Sequence, residues 1–222
     1  MSTIKRRRMG IIKSGGGLSS PPVAEWLFNN NLLDTSGNGY NLTSSGTTTY
    51  VLSGLGGLIN AVSFSGSNYL RASTPILSKP IGISFWIKTS ATNNIQMFAV
   101  TRNSGAGFSI QYNQPRAVYM NYNSNYIDLS VASQLNDGAW KHIVLTTNGE
   151  NGDTVYFYVN SALASTATLA SALTTGTFNY TIGVSYDLAS YKYRGLMAGY
   201  RLFNQLLTQA DVSYLYNNGN GI

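Results

Sequence analysis

Eight carboxylates make up the whole acidic supply of this 222-residue chain: Glu25, Asp34, Asp128, Asp137, Glu150, Asp153, Asp187 and Asp211. Hydrolysis of a glycosidic bond usually needs two of them, about 5–10 Å apart, flanking the bond to be broken. Here most sit in or beside turn-rich stretches, where a carboxylate organises the backbone. Glu25 and Asp211 are the exceptions. His142 is the single histidine. A histidine base needs a nucleophile and an orienting acid, and no G-x-S-x-G motif supplies a nucleophile. In "WKHIVLT" His142 alternates with Trp140 and Val144, as a strand residue does. With no cysteine in the chain, a disulfide framework, a thiolate zinc site and a cysteine nucleophile are excluded. The expectation is a non-enzymatic protein with no catalytic residues.

Two other chemistries have candidates. "DTSGNG" offers Asp34, Asn38 and backbone carbonyls to a calcium ion, a hard cation that takes oxygen ligands. An Asx-type turn closed by glycine uses the same residues without an ion. For ligand binding, the chain carries 16 tyrosines, concentrated among amides in two patches. One is "QYNQPRAVYMNYNSNYIDLS", with Tyr119, Asn121 and Tyr122. The other is "SYDLASYKYRG", with Tyr186, Asp187, Tyr191, Tyr193 and Arg194. Aromatic faces stack on the apolar faces of sugars, while amides and acids bond to hydroxyls. Tyrosine also serves protein interfaces, burying area at low entropy cost, and it has high strand propensity in any sandwich. The second patch is the stronger candidate, because binding residues concentrate on loops held by a rigid scaffold.

The elements that must position these residues are strands. In "AVSFSG", Val62 and Phe64 oppose Ser63 and Ser65. In "IGISFWIK", Ile81, Ile83, Phe85 and Ile87 share a face. In "TVYFYV", Val155, Phe157 and Val159 oppose Tyr156 and Tyr158. This period of two predicts strands, and the Gly-, Asn- and Ser-rich spacers predict hairpins and loops. Many short strands mean a sandwich or barrel. One helix is predicted near the end: Thr208 caps, Asp211 completes a capping box, Leu207 and Val212 form a hydrophobic staple, and Gly219 stops it. Val212, Leu215 and Tyr216 fall on one face.

Charge divides the chain. There are 14 Lys+Arg against 8 Asp+Glu, a net of +6. Five of the cations, Lys5, Arg6, Arg7, Arg8 and Lys13, precede residue 14 without an acid among them, leaving 9 cations and 8 acids for the rest. The sequence pI of 9.5 therefore belongs to the arm, and does not mark the remainder as a nucleic-acid surface. Residues 1–22 read as a basic arm and a Gly/Ser/Pro-rich linker, and residues 23–222 as one domain. The cations of the arm are followed only by Met9, Gly10, Ile11 and Ile12 before Lys13, too short an apolar stretch for a secretory signal. No window approaches the ~18 apolar residues of a membrane span.

Several segments, in order, resemble the laminin-G-like jelly rolls of the concanavalin A-like lectin/glucanase superfamily. They are "VAEWLFNNNLLDTSGNGYNLT", "GLGGLINAVSFSGSNYL", "IGISFWIKT", "WKHIVLTTNGENGDTVYFYVNSALA" and the closing "TIGVS…YRGLMAGYRLFNQLLTQADVSYLYNNG". The resemblance covers residues 23–219. It implies an all-β fold: two antiparallel sheets in a jelly-roll sandwich, one short C-terminal helix and an extended N-terminal arm. It further implies a carbohydrate- or protein-binding module, sometimes with calcium. Hydrolases of the superfamily carry a strand of the Glu-x-Asp-x-x-Glu type, which this chain lacks. Where the family often reads G-x-I-D-E-V-R-I-Y-N, this chain reads "GLMAGYRLFN", and Ala198 and Gly199 replace the two acids, weakening the calcium expectation at Asp34 and Asn38.

A binding jelly roll with no export signal is reconciled if the protein reaches the outside on a virus particle. The expected function is thus a virion structural protein, a capsid decoration, head fibre or adhesin. Lys5–Arg8 and Lys13 would dock on other virion proteins or on packaged nucleic acid, and the domain would bind host glycans. A homo-oligomer is expected for such a fibre or spike. The alternatives are a soluble or secreted lectin-like module and, further off, a glycoside hydrolase.

Overall fold

The computed structural model describes residues 17–72, 78–92, 96–103, 106–113, 117–123, 125–132, 134–174, 180–185 and 187–222, with the backbone alone at 96–103, 106, 117, 119 and 121. The arm cations Lys5–Arg8 and Lys13 lie outside them. In chain order the first strands are β1 (Ala24–Trp26), β2 (Leu42–Ser45), β3 (Thr49–Leu52), β4 (Asn60–Ser65), β5 (Tyr69–Ala72), β6 (Ile81–Lys88), β7 (Gln96–Asn103) and β8 (Ala106–Asn113). There follow β9 (Ala117–Tyr122), β10 (Asn125–Asp128), β11 (Lys141–Thr147), β12 (Thr154–Val159), β13 (Ala162–Thr168), β14 (Tyr180–Ile182) and β15 (Arg194–Phe203), then helix α1 (Gln209–Tyr216). No helix among the described residues is long and apolar enough to cross a membrane.

Alternation sorts these strands into two antiparallel sheets. The first runs β13-β12-β11-β6-β15-β4-β3, with β1 also paired to β15; the second runs β10-β9-β8-β7-β14-β5-β2. The faces the sequence marks as apolar meet between them. Val62, Phe64, Ile81, Ile83, Phe85, Ile87, Val155 and Phe157 pack there against Phe108, Ile110, Val118, Met120, Leu70 and Ile182. An aromatic group anchors the centre: Phe85 stacks on Tyr200 at 4.9 Å and 7°, and Trp26 lies 6.0 Å from Tyr200. The Tyr180 and Tyr200 hydroxyls satisfy each other at 2.6 Å.

The outer face of the first sheet is buried as well, which strand alternation alone does not announce. Helix α1 covers it with Val212 and Leu215 on Val144, Tyr158, Phe203 and Leu207. The 53–58 loop covers the neighbouring part, where Leu58 joins Trp86 and Ala198. The predicted capping box forms: the Thr208 hydroxyl accepts from the Asp211 N–H, and the Asp211 carboxylate accepts from the Thr208 N–H at 2.9 Å. The helix stops earlier than expected, because Asn217 adopts the left-handed conformation (φ 46°) at the C-cap, ahead of Gly219.

The linker is not wholly detached from the domain. Ser19 donates through N–H (2.7 Å) and Oγ (3.0 Å) to Asp211, and Leu18 packs beside α1. Gln205 donates from Nε2 to the Ser20 carbonyl. The described chain thus joins the sandwich at Leu18, several residues before the boundary expected at residue 23.

Candidate ligand-binding surfaces

Inward residues of the second sheet alternate with residues on its outer face. One register row crosses all seven strands: Thr43, Arg71, Thr181, Val100, Ser109, Asn121 and Tyr126 are successive cross-strand partners. At about 4.8 Å per strand the row spans about 29 Å. Its ends are open, with Thr43 exposed and Tyr126 71% exposed, and its middle is closed, with Ser109 and Thr181 buried. The Ser109 Oγ and Thr181 Oγ1 atoms have no hydrogen-bond partner among the described residues. A buried hydroxyl left this way costs ~1–3 kcal/mol, and such groups are rare enough to call for a cause.

The predicted patch on this sheet is split by the pleat. Tyr122 is fully buried in the core, where its hydroxyl accepts from the Ala170 N–H at 2.9 Å. It is a structural residue, and the expectation that it meets a ligand is corrected. Tyr119 pairs in register with Gln111 and Asp128, and Asn121 with Ser109 and Tyr126; their side chains lie outside the described residues. Sequence reasoning passed over Ser109 and Thr181. The signal for Ser109 was present in "FSIQY", where Phe108, Ile110 and Tyr112 claim the inner face.

The second patch occupies the end of the sandwich where β6 finishes at Lys88 and β15 begins at Arg194. Tyr186 lies outside the described residues. Asp187 organises its own loop, accepting from the Ala189 N–H, the Ser190 N–H and the Ser190 hydroxyl at 3.0, 2.9 and 2.5 Å. The Ser190 hydroxyl, aided by those N–H groups, holds its carboxyl below the usual range. Tyr191 is 47% exposed. Tyr193 is buried, donates to the Leu196 carbonyl at 3.2 Å and meets Phe64 edge-on at 5.6 Å. Burial pushes its hydroxyl far up. It supports the loop from beneath, and its expected role as a ligand contact is corrected. Arg194 is exposed and lies across Gly66, where a Cβ would meet its Nε at 2.7 Å.

The structure explains "DTSGNG" without an ion. Asp34 accepts from the Glu25, Ser36 and Tyr40 N–H groups, each at 2.9 Å, and from the Ser36 hydroxyl at 2.9 Å. Burial alone would raise its carboxyl, but those backbone donors outweigh it and hold it low. Asn38 turns its Nδ2 donor, not its oxygen, to the Val23 carbonyl. No group of three His, Cys, Asp or Glu residues able to hold a metal occurs among the described residues. A cation seeking six to eight oxygens does not fit the donor set at Asp34 and Asn38.

His142 is buried on the outer face of the first sheet, with Nε2 2.9 Å from the Ser84 Oγ and its ring against both Trp86 (5.0 Å) and Tyr216 (6.0 Å), which stack on each other at 5.7 Å. Burial, with the Arg201 charge nearby, lowers its pKa to about 3. It is a packed, neutral strand residue.

Solved structures similar to this one include domain 4 of AbnA, an extracellular GH43 arabinanase from Geobacillus stearothermophilus, in complex with arabinotriose. The identity is 20% over 86% of this chain and 96% of that one, with a TM-score of 0.72. The receptor-binding domain of botulinum neurotoxin mosaic serotype C/D matches at 15% identity, 89% of this chain and TM-score 0.67. The binding domain of botulinum neurotoxin DC in complex with rat synaptotagmin II matches at 15% and 0.67, over 89% of this chain and 51% of that one. The chain spans about half the length of the toxin domains. No curated protein matches it in sequence. At these identities the likeness shows the fold. Residues 64–213, well over half the chain, match the laminin-G-type model described as the concanavalin A-like lectin/glucanases superfamily, and the chain belongs to that family.

Proposed function

We propose that this chain is a non-enzymatic glycan-binding module whose ligand lies along the transverse row on the second sheet, and that its basic arm attaches it to a virion. The observation that carries the binding site is the pair of buried, unpartnered hydroxyls at Ser109 and Thr181. They flank one residue, Val100, in the row, and so lie about 10 Å apart, two strand spacings, under one stretch of that face. A ligand hydroxyl there would satisfy groups that now carry a desolvation cost. The arabinotriose complex of domain 4 of AbnA and the complex of the neurotoxin DC binding domain with SialylT support a saccharide ligand. The synaptotagmin complex favours a protein ligand as the second reading. The non-enzymatic reading is supported by the placement of acids. Asp128 is the one acid on the strands of the second sheet, and Glu25, on the first, is tied to Arg201. A hydrolase needs two acids across one bond.

A glycan array probed with the full chain, with calcium and again with EDTA, tests this. Saturable binding to a saccharide class is expected, unchanged by EDTA. The double variant Ser109→Ala/Thr181→Val should bind at least ~10-fold more weakly yet unfold no more easily, because it deletes two groups that pay desolvation without return. Silence across the array sinks the proposal. For the arm, deleting residues 1–16 should abolish salt-sensitive adsorption to a polyglutamate-coated surface; equal adsorption by both forms would refute docking through its charge.

A further inference from the structure

The Lys88 end of the sandwich holds a cleft of about 370 Å³, lined by Lys88, Thr89, Ser90, Ala91, Gly138 and the Arg194–Leu196 segment. Its floor is rigid and tightly built. Gly195 has φ 144°, and a Cβ on it would meet the Lys88 carbonyl at 2.5 Å and the Tyr193 Oη at 2.8 Å, so the backbone passes closer than any other residue would allow. Thr89 ties the walls together, donating from Oγ1 to the Arg194 carbonyl at 2.6 Å, while its own carbonyl accepts from the Gly138 N–H at 3.0 Å.

The polar groups facing out of this frame are cationic or neutral. Among the described residues, Lys88 is exposed and has no ion-pair partner, Ser90 is exposed with no hydrogen bond to its hydroxyl, and Arg194 is an exposed wall residue. No carboxylate of the described residues lines the cleft. The two acids nearby are committed elsewhere: Asp137 to Lys141 (2.7 Å) and the Ala139 N–H (2.9 Å), and Asp187 to its own loop. Lys192 adds a further cation on the adjoining loop. The domain beyond the arm is nearly neutral as a whole, with 9 cations against 8 acids. A recess walled by cations and free of acids favours a negatively charged ligand group.

We propose that this cleft is a second saccharide subsite, selective for a carboxylate-bearing sugar, in which Lys88 faces the carboxylate and the Ser90 hydroxyl bonds to the ring. It rests on the glycan-binding reading above but occupies a different part of the fold. The test is an NMR titration of the full chain with D-glucuronate and, in parallel, D-glucose. Glucuronate should shift the backbone amides of Ser90, Ala91, Gly138 and Gly195 saturably, and glucose should not. Lys88→Gln, at an exposed side chain whose loss leaves the fold intact, should weaken glucuronate at least ~5-fold, and raising salt from 50 to 300 mM should weaken the unaltered protein in the same direction. Equal shifts with glucose, shifts confined to other regions, or an unchanged Lys88→Gln titration would each overturn the assignment. Any of these, beside a positive array, removes this subsite and leaves the row on the second sheet standing. Binding here with a silent array retains this subsite and removes the other.

Discussion

Acidifying the protein from pH 6.5 to pH 3 should remove about 4 kcal/mol of stability through one side chain, His142. The unfolded imidazole takes a proton at its ordinary value, 6.5, whereas the folded one resists until about 3, chiefly because it is buried and secondarily because Arg201 is charged. Between those values the unfolded chain binds more protons than the folded one. Stability is therefore complete above pH 6.5 and declines by ~1.4 kcal/mol per pH unit below it. Below ~4 the carboxylates Asp34, Asp137, Asp187 and Asp211, all held low, add a second loss in the same direction. Urea midpoints at pH 7, 6, 5 and 4 measure the slope. His142→Gln should flatten it between pH 6.5 and 4, whatever it does to stability at pH 7. A level profile from pH 7 to 5 in the unaltered protein would contradict the buried neutral imidazole.

Glu25→Ala should destabilise the fold by about 3–5 kcal/mol. Glu25 and Arg201 are cross-strand partners of β1 and β15, and the Arg201 Nε lies 2.6 Å from the Glu25 Oε1. The guanidinium is almost wholly buried; among the described residues its other nitrogens reach the Gly199 carbonyl and a main-chain oxygen of Ile222. Removing the carboxylate strands that charge, and also releases the Thr35 hydroxyl, which donates to Glu25 Oε2 at 2.7 Å. The pair itself need not be stabilising relative to apolar residues of similar volume. The double variant Glu25→Leu/Arg201→Met should therefore recover most of the loss. Thermal or urea unfolding of the three forms checks both statements, and a loss under ~1 kcal/mol for Glu25→Ala would refute the account.

Much of the fold was legible because alternation writes burial directly into strands such as Ile81–Lys88 and Thr154–Val159. The helix cap was legible for a local reason: Thr208 and Asp211 are three residues apart, and their chemistry is complete within one turn. What escaped the sequence depends on distant partners. Trp86, His142 and Val144 occupy the face that a one-sided reading assigns to solvent, and only the packing of α1 and the 53–58 loop buries it. Tyr122 and Tyr193 look like Tyr126 and Tyr191 in composition, yet the first two are inside. In β9 and β10 the pleat decides, since a shift of one residue reverses the face. The cleft at Lys88 was illegible for another reason: its walls come from segments about 50 residues apart, and only the sheet order joins them.

The attachment of Leu18 and Ser19 to α1 also fixes how the molecule would carry mechanical load. A pull on the arm is taken first by the two Ser19–Asp211 hydrogen bonds, next by the Gln205–Ser20 contact, and only then by the short β1 ladder on β15. Each of these is peripheral and can reform when tension falls. The layer between the two sheets is engaged last, so a tethered copy could stretch by several residues while its outward face keeps its shape.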